Sequence, residues 1–165
     1  MADITVRPLA PDEWRLYRTV RLAALADAPY AFCSTWAGEK AFTEETWRGR
    51  LARRGTFLAE DGGEPCGLVS VVPAESAGDA DLVSMWVAPS ARGRGAAGLL
   101  VGAALARAAE EGFARLRLWV TEGNDPAERL YARHGFVRTG AVQSVREGED
   151  AREFEMARTT APAAG

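Results

Sequence analysis

Three groups of residues in this chain have types and spacings suited to chemistry. One is the run "ARGRGAAG", Ala91 to Gly98, which joins a strand-like stretch ending at Pro89 to a helical pattern of small residues. Another is "GNDPAERLYARHGF", Gly123 to Phe136, which holds Asn124, Tyr131 and the only histidine, His134. The last is a scatter of carboxylates, Glu39, Glu60 and Glu122, any of which could accept a proton. The glycine-arginine run has a direct physical reading. A helix start leaves backbone N–H groups without partners and carries partial positive charge, so an anion fits there, phosphate above all. Gly93, Gly95, Ala96, Ala97 and Gly98 let a ligand come close to that backbone, and Arg92 and Arg94 add charges whose geometry suits phosphate. The run reads as a pyrophosphate cradle. Taken alone, it also reads as a tight strand-to-helix turn with solvated arginines.

Two familiar phosphate loops fit less well. A Walker loop needs a lysine that this run lacks. Gly93, Gly95 and Gly98 do match a G-x-G-x-x-G spacing. However, the run follows a series of strands joined by short turns and does not open a strand-helix-strand unit. The acidic residues further on, Glu110 and Glu111, belong to the helix and not to the end of a second strand.

The elements that must hold these residues follow from pattern. "ITVRPL" from Ile4 reads as a strand, and Pro11, Asp12 and Glu13 suit the start of a helix bearing Trp14, Tyr17, Val20, Arg21, Leu22 and Leu25 at mostly helical spacing. Pro29 ends it. Thr43 is expected to cap a second helix with Glu44 and Glu45 in its first turn. The strands "TFLAE", "CGLVSVVP" and "LVSMWV" follow, separated by polar turns, then a helix from Gly95 to Glu111 and the strand "LRLWVT". A short helix starts near Asp125, which is expected to cap it, with Pro126 in its first turn and Glu128 at capping-box spacing. It ends by Gly135, and "FVRTGAV" and "AREFEMAR" close the chain as strands. The order β-α-α-β-β-β-α-β-α-β-β predicts a mixed α/β (α+β) sheet, antiparallel where turns are short and parallel across the Gly95 helix, with helices on its faces. One domain over residues 1–158 is expected, with 159–165 a disordered tail.

Bulk properties narrow the classes. The 165 residues are 47% hydrophobic and 26% charged, which is enough for a core without disulfides or a structural metal. A net charge of -3 argues against general nucleic-acid binding. Cys33 and Cys66 stand apart with no histidine nearby, so two reduced thiols are expected, one of them interior, and no metal site. No apolar run is long enough for a membrane span, and "MADITVRPL" lacks the pattern of a signal peptide, so a cytoplasmic location is the default.

Together these segments resemble the GNAT N-acetyltransferase superfamily. "VAPSARGRGAAGLLVGAAL" is similar to its motif A, a strand ending in V-x-P followed by [QR]-x-x-G-x-[GA], which here is Arg92 to Ala97. "LRLWVTEGNDPAERLYARHGFVRTG" is similar to its motif B, with Asn124, Ala127, Tyr131, Gly135 and Phe136 on the motif positions. The resemblance covers roughly the whole chain. It implies the GNAT acyl-CoA N-acyltransferase fold, whose one parallel strand pair, here the strands ending at Val87 and Thr121, splays apart. It also implies acetyl-CoA as acyl donor. Backbone groups from Arg92 to Gly98 would then hold the pyrophosphate. Met85, Trp86 and Val87 would pair with the pantetheine arm as an added strand does, and Asn124 would hydrogen-bond that arm. A strand N–H near Val87 would meet the oxyanion. Many relatives are homodimers, which makes a homodimer the expectation here.

Acetyl transfer to an amine needs a proton for the departing thiolate. Tyr131 occupies the family's general-acid position, and a neutral phenol, with an ordinary pKa of about 10 against about 8.5 for a thiol, can hydrogen-bond to and protonate the sulfur. Packing alone would also turn Leu130 and Tyr131 inward. The attacking amine must lose a proton, and Glu39, Glu60 and Glu122 are the candidate bases. "RLAALADAPYAFCSTWAGE" resembles a subgroup whose acidic residue, here Glu39, lies where the acceptor site is usually built. Glu39 is therefore expected either to anchor a cationic substrate or to take its proton through water, and otherwise to be a solvated loop carboxylate. Tyr30, Phe32, Trp36, Trp86 and Trp119 could line an acceptor pocket or belong to the core. His134 is expected to serve the end of its helix. The reading is an N-acetyltransferase acting on a primary amine of a small molecule: an amino acid, a polyamine-like metabolite or an amine antibiotic. Modification of a protein N-terminus or lysine is the second enzymatic reading. An acyl-CoA-binding sensor without turnover is the reading of another class.

Overall fold

The computed structural model describes residues 3–29 and 34–160. Its strands are β1 (Ile4–Pro8), β2 (Thr56–Asp61), β3 (Glu64–Pro73), β4 (Asp79–Val87), β5 (Arg115–Thr121), β6 (Val137–Ser144) and β7 (Arg152–Thr159). Its α-helices are α1 (Trp14–Asp27), α2 (Trp36–Lys40), α3 (Glu44–Leu51), α4 (Ala96–Glu110) and α5 (Asp125–Arg133). The sheet order is β1-β2-β3-β4-β5-β7-β6. β1–β2, β2–β3, β5–β7 and β7–β6 pair antiparallel, while β4 and β5 are parallel. The expected mixed sheet with one parallel pair is therefore present. Contacts gather the chain into two units, Met1–Ser70 with Ser84–Ala103, and Val71–Val83 with Ala104–Gly165.

In the first unit, the helical spacing of α1 becomes a buried face of Tyr17, Val20, Leu22, Ala24 and Leu25, packed with Trp47 and Leu51 of α3, Leu58 of β2, Leu68 of β3 and Trp86 of β4. Trp47 is the hub. Tyr17 meets it edge-on at 5.6 Å between ring centres, and Phe42 at 5.5 Å. Thr43 caps α3 as expected, its hydroxyl accepting from the Thr46 N–H at 3.2 Å. Helix α2 is not expected from the sequence pattern. Five residues are too few to show a period, yet Thr35 caps it by accepting from Gly38 N–H at 3.1 Å.

In the second unit, β5 alternates. Leu116, Leu118 and Val120 are buried, and on the other face Arg115 and Arg117 reach Asp79 at 3.0 Å and Asp81 at 3.1 Å, their partners in the parallel register. β7 contributes buried Phe154, Met156 and Ala157. β6 is exposed along its whole length. Its pairing steps from Arg138↔Met156 to Val142↔Phe154, so β6 carries two extra residues there, with Gly140 at φ +97°. β7 extends through Thr159, and Thr160 N–H donates to Ala114 O at 3.1 Å. Thr159 and Thr160 therefore do not belong to the expected disordered tail, and 161–165 lie outside the described residues. Among the described residues, no helix is long and apolar enough to cross a membrane.

Candidate functional site

The glycine-arginine run leaves β4 through a 3-10 turn, Pro89–Ala91, tied back by Ala88 N–H to Cys66 O at 2.8 Å. Gly93 and Gly95 have φ of +78° and +87°, and a methyl group added at either would meet nothing within 4 Å. Glycine is needed here for backbone shape, not for packing. Gly95 immediately precedes α4 and has no side chain of its own with which to cap the first N–H groups of this fifteen-residue helix. Behind them, Ala96, Leu100, Val101 and Ala104 are buried and fix the helix. These features fit an anionic group at the loop.

The two arginines are placed differently from the expectation. Arg92 turns back, donating from Nε to Val87 O at 3.0 Å and from Nη2 to Asp27 at 2.7 Å. Arg94 pairs with Asp61, Nη2 lying 3.2 Å from Oδ1. Hydrogen bonds from Trp86 and Arg92 hold the Asp27 carboxyl below its ordinary range despite some burial, and Arg94 does the same for Asp61. Both arginines are thus held by carboxylates on the protein surface, where such pairs are weak and a phosphate can compete for them.

The end of β4 is unusually well defined. Trp86 is buried and its indole N–H donates to Asp27 at 2.9 Å. Gly67 of β3 comes so near that a β-carbon there would stand 2.9 Å from Trp86 O. Met85 and Val87 are half-buried. Ser84, just before them, is a non-glycine residue at φ +59° inside a strand.

Asn124 and Tyr131 belong to the second unit. Asn124, not Asp125, is the cap of α5: its Oδ1 accepts from Ala127 N–H at 3.3 Å. Asp125 and Asn124 both favour that position, and Pro126 fits either of the next two, so the pattern left a one-residue ambiguity. Glu128 does not close a capping box and instead pairs with Arg138 at 2.6 and 2.8 Å. The Asn124 amide N–H groups remain available to a ligand. Tyr131 is buried, edge-on to Phe136 at 5.8 Å, and its hydroxyl has no hydrogen-bond partner among the described residues. Burial pushes its pKa up to about 12, so the phenol is neutral. The helix stops at Gly135, φ +88°, where Phe136 N–H donates to Tyr131 O at 3.1 Å. The expected helix-end cation is not His134. Burial, together with Arg133 and Arg158, lowers its pKa, and Arg158 donates to the His134 carbonyl at 2.9 Å.

Glu39 occupies a place unlike the one expected for a base or a solvated loop carboxylate. It lies in α2 and is fully buried. Arg21 grips both its oxygens at 3.0 Å, and Arg50 donates to Oε1 at 2.9 Å. Burial alone would raise its pKa, but hydrogen bonds from Arg21 and Ser34 and the charges of Arg21 and Arg50 outweigh that and lower it. A carboxylate so held is a poor base and is closed to substrate. Glu60 is likewise committed, to Arg7 at 2.7 Å. Glu122 is exposed and has no salt bridge among the described residues. Trp86 is core, Trp36 is exposed with Lys40 4.5 Å over its ring, Trp119 is half-buried, and Tyr30, Phe32 and Cys33 lie outside the described residues. Cys66 is the buried thiol. The sequence alone gives no role to Asp27 or Ser84, and it places Arg21 on the helical face of α1 and at the head of the subgroup motif without naming its partner. An arginine on such a face was itself the signal of a buried partner.

Curated relatives include uncharacterized N-acetyltransferases of Mycobacterium tuberculosis and Mycobacterium bovis, 33% identical over 88 residues. That match takes in 53% of this chain, which spans about half the length of those relatives, 56%. Among solved structures, a GNAT-family acetyltransferase from Streptococcus pneumoniae superposes with a TM-score of 0.77 at 22% identity, covering 95% of this chain and 99% of that one. A putative acetyltransferase from Salmonella typhimurium, solved with its cofactor acetyl-CoA, does so with 0.77 at 16%, covering 98% and 96%. A ribosomal-protein-alanine N-acetyltransferase from Brucella melitensis gives 0.71 at 22%, covering 94% and 99%. The model of the acetyltransferase (GNAT) family matches residues 19–136, well over half the chain and both motifs, and the chain belongs to that family.

Proposed function

We propose that this chain is an acetyl-CoA-dependent N-acetyltransferase acting on a primary amine of a small molecule by direct attack in a ternary complex. The observation that carries this reading is the start of α4. Two left-handed glycines lead into it, and Gly95 brings no side chain of its own to compete with a pyrophosphate for its N–H groups. Bound acetyl-CoA would supply the activated acyl carbon. The backbone from Arg92 to Gly98 would grip the phosphates, with Arg92 and Arg94 exchanging Asp27 and Asp61 for them. Met85 to Val87 would present strand N–H and C=O groups to the pantetheine arm, and the Asn124 amide would bind the same arm. Tyr131 would donate a hydrogen bond to the leaving sulfur. A phenol at about 12 stays neutral, so it can donate that hydrogen bond throughout the reaction. Of the three carboxylates, Glu122 is the one left to draw the proton from the amine. The same proposal takes residues 1–158 as one catalytic domain, in the cytoplasm, working as a homodimer.

A thiol-release assay with acetyl-CoA over a broad amine panel tests this. Release that saturates with a small amine supports it. Release only with peptides or lysine side chains would move the acceptor to protein. Tight CoA binding with no release for any amine would leave a sensor.

A further inference from the structure

The sharpest unexplained feature of the molecule is the polar cluster under the end of β4. Arg21 and Glu39 are both buried, and neither faces solvent where a substrate could reach it. Arg21 spends Nε and Nη2 on Glu39, a fork that fixes the plane of the guanidinium. Its remaining nitrogen, Nη1, donates to Ser84 Oγ at 2.9 Å. Ser84 is the residue at φ +59°. A non-glycine residue in that region costs energy and persists only where its surroundings impose it. Arg50 adds a second donor to Glu39, so the anchor under Ser84 is itself held from two sides.

We propose that Arg21, locked by Glu39 and Arg50, is a positioning residue that holds the left-handed turn at Ser84 and so sets the direction of the backbone groups of Met85, Trp86 and Val87 offered to the acyl donor. This rests on the reading that those groups bind acetyl-CoA. Glu39 then contributes to the reaction without touching a reactant. The buried pair exists because a guanidinium can grip a carboxylate and a hydroxyl at once, which a lysine cannot.

Variants of Arg21 or Glu39 leave a buried charge alone and can fail to fold, so Ser84 carries the test. Ser84→Ala keeps the steric cost of that φ and loses the anchor that holds it, so the turn is free to relax. Ser84→Gly loses the anchor but adopts that φ without strain. Melting temperature, calorimetric CoA affinity and the KM and kcat for acetyl-CoA are measured on the full chain. Ser84→Ala is expected to remain folded with KM raised about fivefold or more, and Ser84→Gly to recover to within about twofold of the parent, differences readable on the affinity scale. If Ser84→Ala binds CoA and turns over as the parent does, the positioning role is wrong while the donor reading stands. If Ser84→Gly is as impaired as Ser84→Ala, the hydroxyl and not the backbone angle matters, and the proposal fails. If the parent itself binds no CoA, the donor reading and this proposal fall together.

Discussion

Helices α4 and α5 both begin beside residues assigned to the acyl donor, and their first turns are built in opposite ways. α4 starts after Gly95, which has no side chain of its own to occupy the first N–H groups. α5 starts after Asn124, whose side-chain Oδ1 accepts from the Ala127 N–H, and Pro126 removes another donor outright. An open helix start is an anion site, and a sealed one is a platform. In the proposed reading the open start would grip phosphate, and the sealed one carries Tyr131 two turns along. The lesson is that a motif's glycines and its cap residues belong to different tasks even when both precede a helix.

The largest expected effect lies on the platform. Tyr131→Phe should lower kcat by about tenfold or more with little change in KM for acetyl-CoA. Because the hydroxyl has no partner among the described residues, the melting temperature should hold or rise. An unchanged kcat removes Tyr131 from the chemistry. Next comes the open start. Gly95→Ala forces a β-carbon onto φ +87°, a strain on the order of 1–3 kcal/mol. The loop should relax away from its binding shape, and CoA affinity should fall about tenfold in calorimetry, since about 1.4 kcal/mol is tenfold. An affinity within twofold, by rough allowance, would deny the loop its role.

Asn124 sharpens the contrast, because one side chain offers both a cap and a ligand donor. Asn124→Ala should lose about 1 kcal/mol of stability with the cap. Asn124→Asp keeps the cap and loses the amide, so it should melt like the parent and raise KM for acetyl-CoA a few fold, roughly the worth of one hydrogen bond. Equal KM values for the parent and Asn124→Asp would make Asn124 a cap alone. The smallest effect belongs to Asp61. Its pKa is lowered by Arg94, so their pair is complete above the ordinary value of 3.8 and is lost only as pH falls through the lowered value. Mild acid therefore leaves Arg94 held, and substitution is needed to release it. Asp61→Asn should tighten CoA binding about twofold and steepen its salt dependence.

Local features were readable in advance. Gly93, Gly95, Pro11, Pro126 and Gly135 act within their own turns, so the glycine turn before α4, the placing of α1, α4 and α5 to within a few residues and the end of α5 follow from the chain alone. Pairings at long range did not. Arg21 finds Glu39 across 18 positions, and Arg92 finds Asp27 across 65. Nothing in local spacing separates a carboxylate that will be caged from one that will be solvated. From the chain alone Glu39 reads as an anchor, a base or a solvated carboxylate, whereas the fold buries it under two arginines. The one-residue error at the cap of α5 has a milder cause, since adjacent Asn and Asp compete for one position.

The step in β6 has a consequence for the molecule's behaviour in a crowded solution. β6 is an edge strand, exposed throughout, and it shows Val137 and Val142 to water. A straight edge of that kind is a template on which foreign strands can add and fibrils can start. The two extra residues between Arg138 and Val142 break the row of free N–H and C=O groups in its middle, and Gly140 bends what remains. An incoming strand can register with one half of β6 or the other, but not with both, so the bulge guards the protein against self-association through its own sheet.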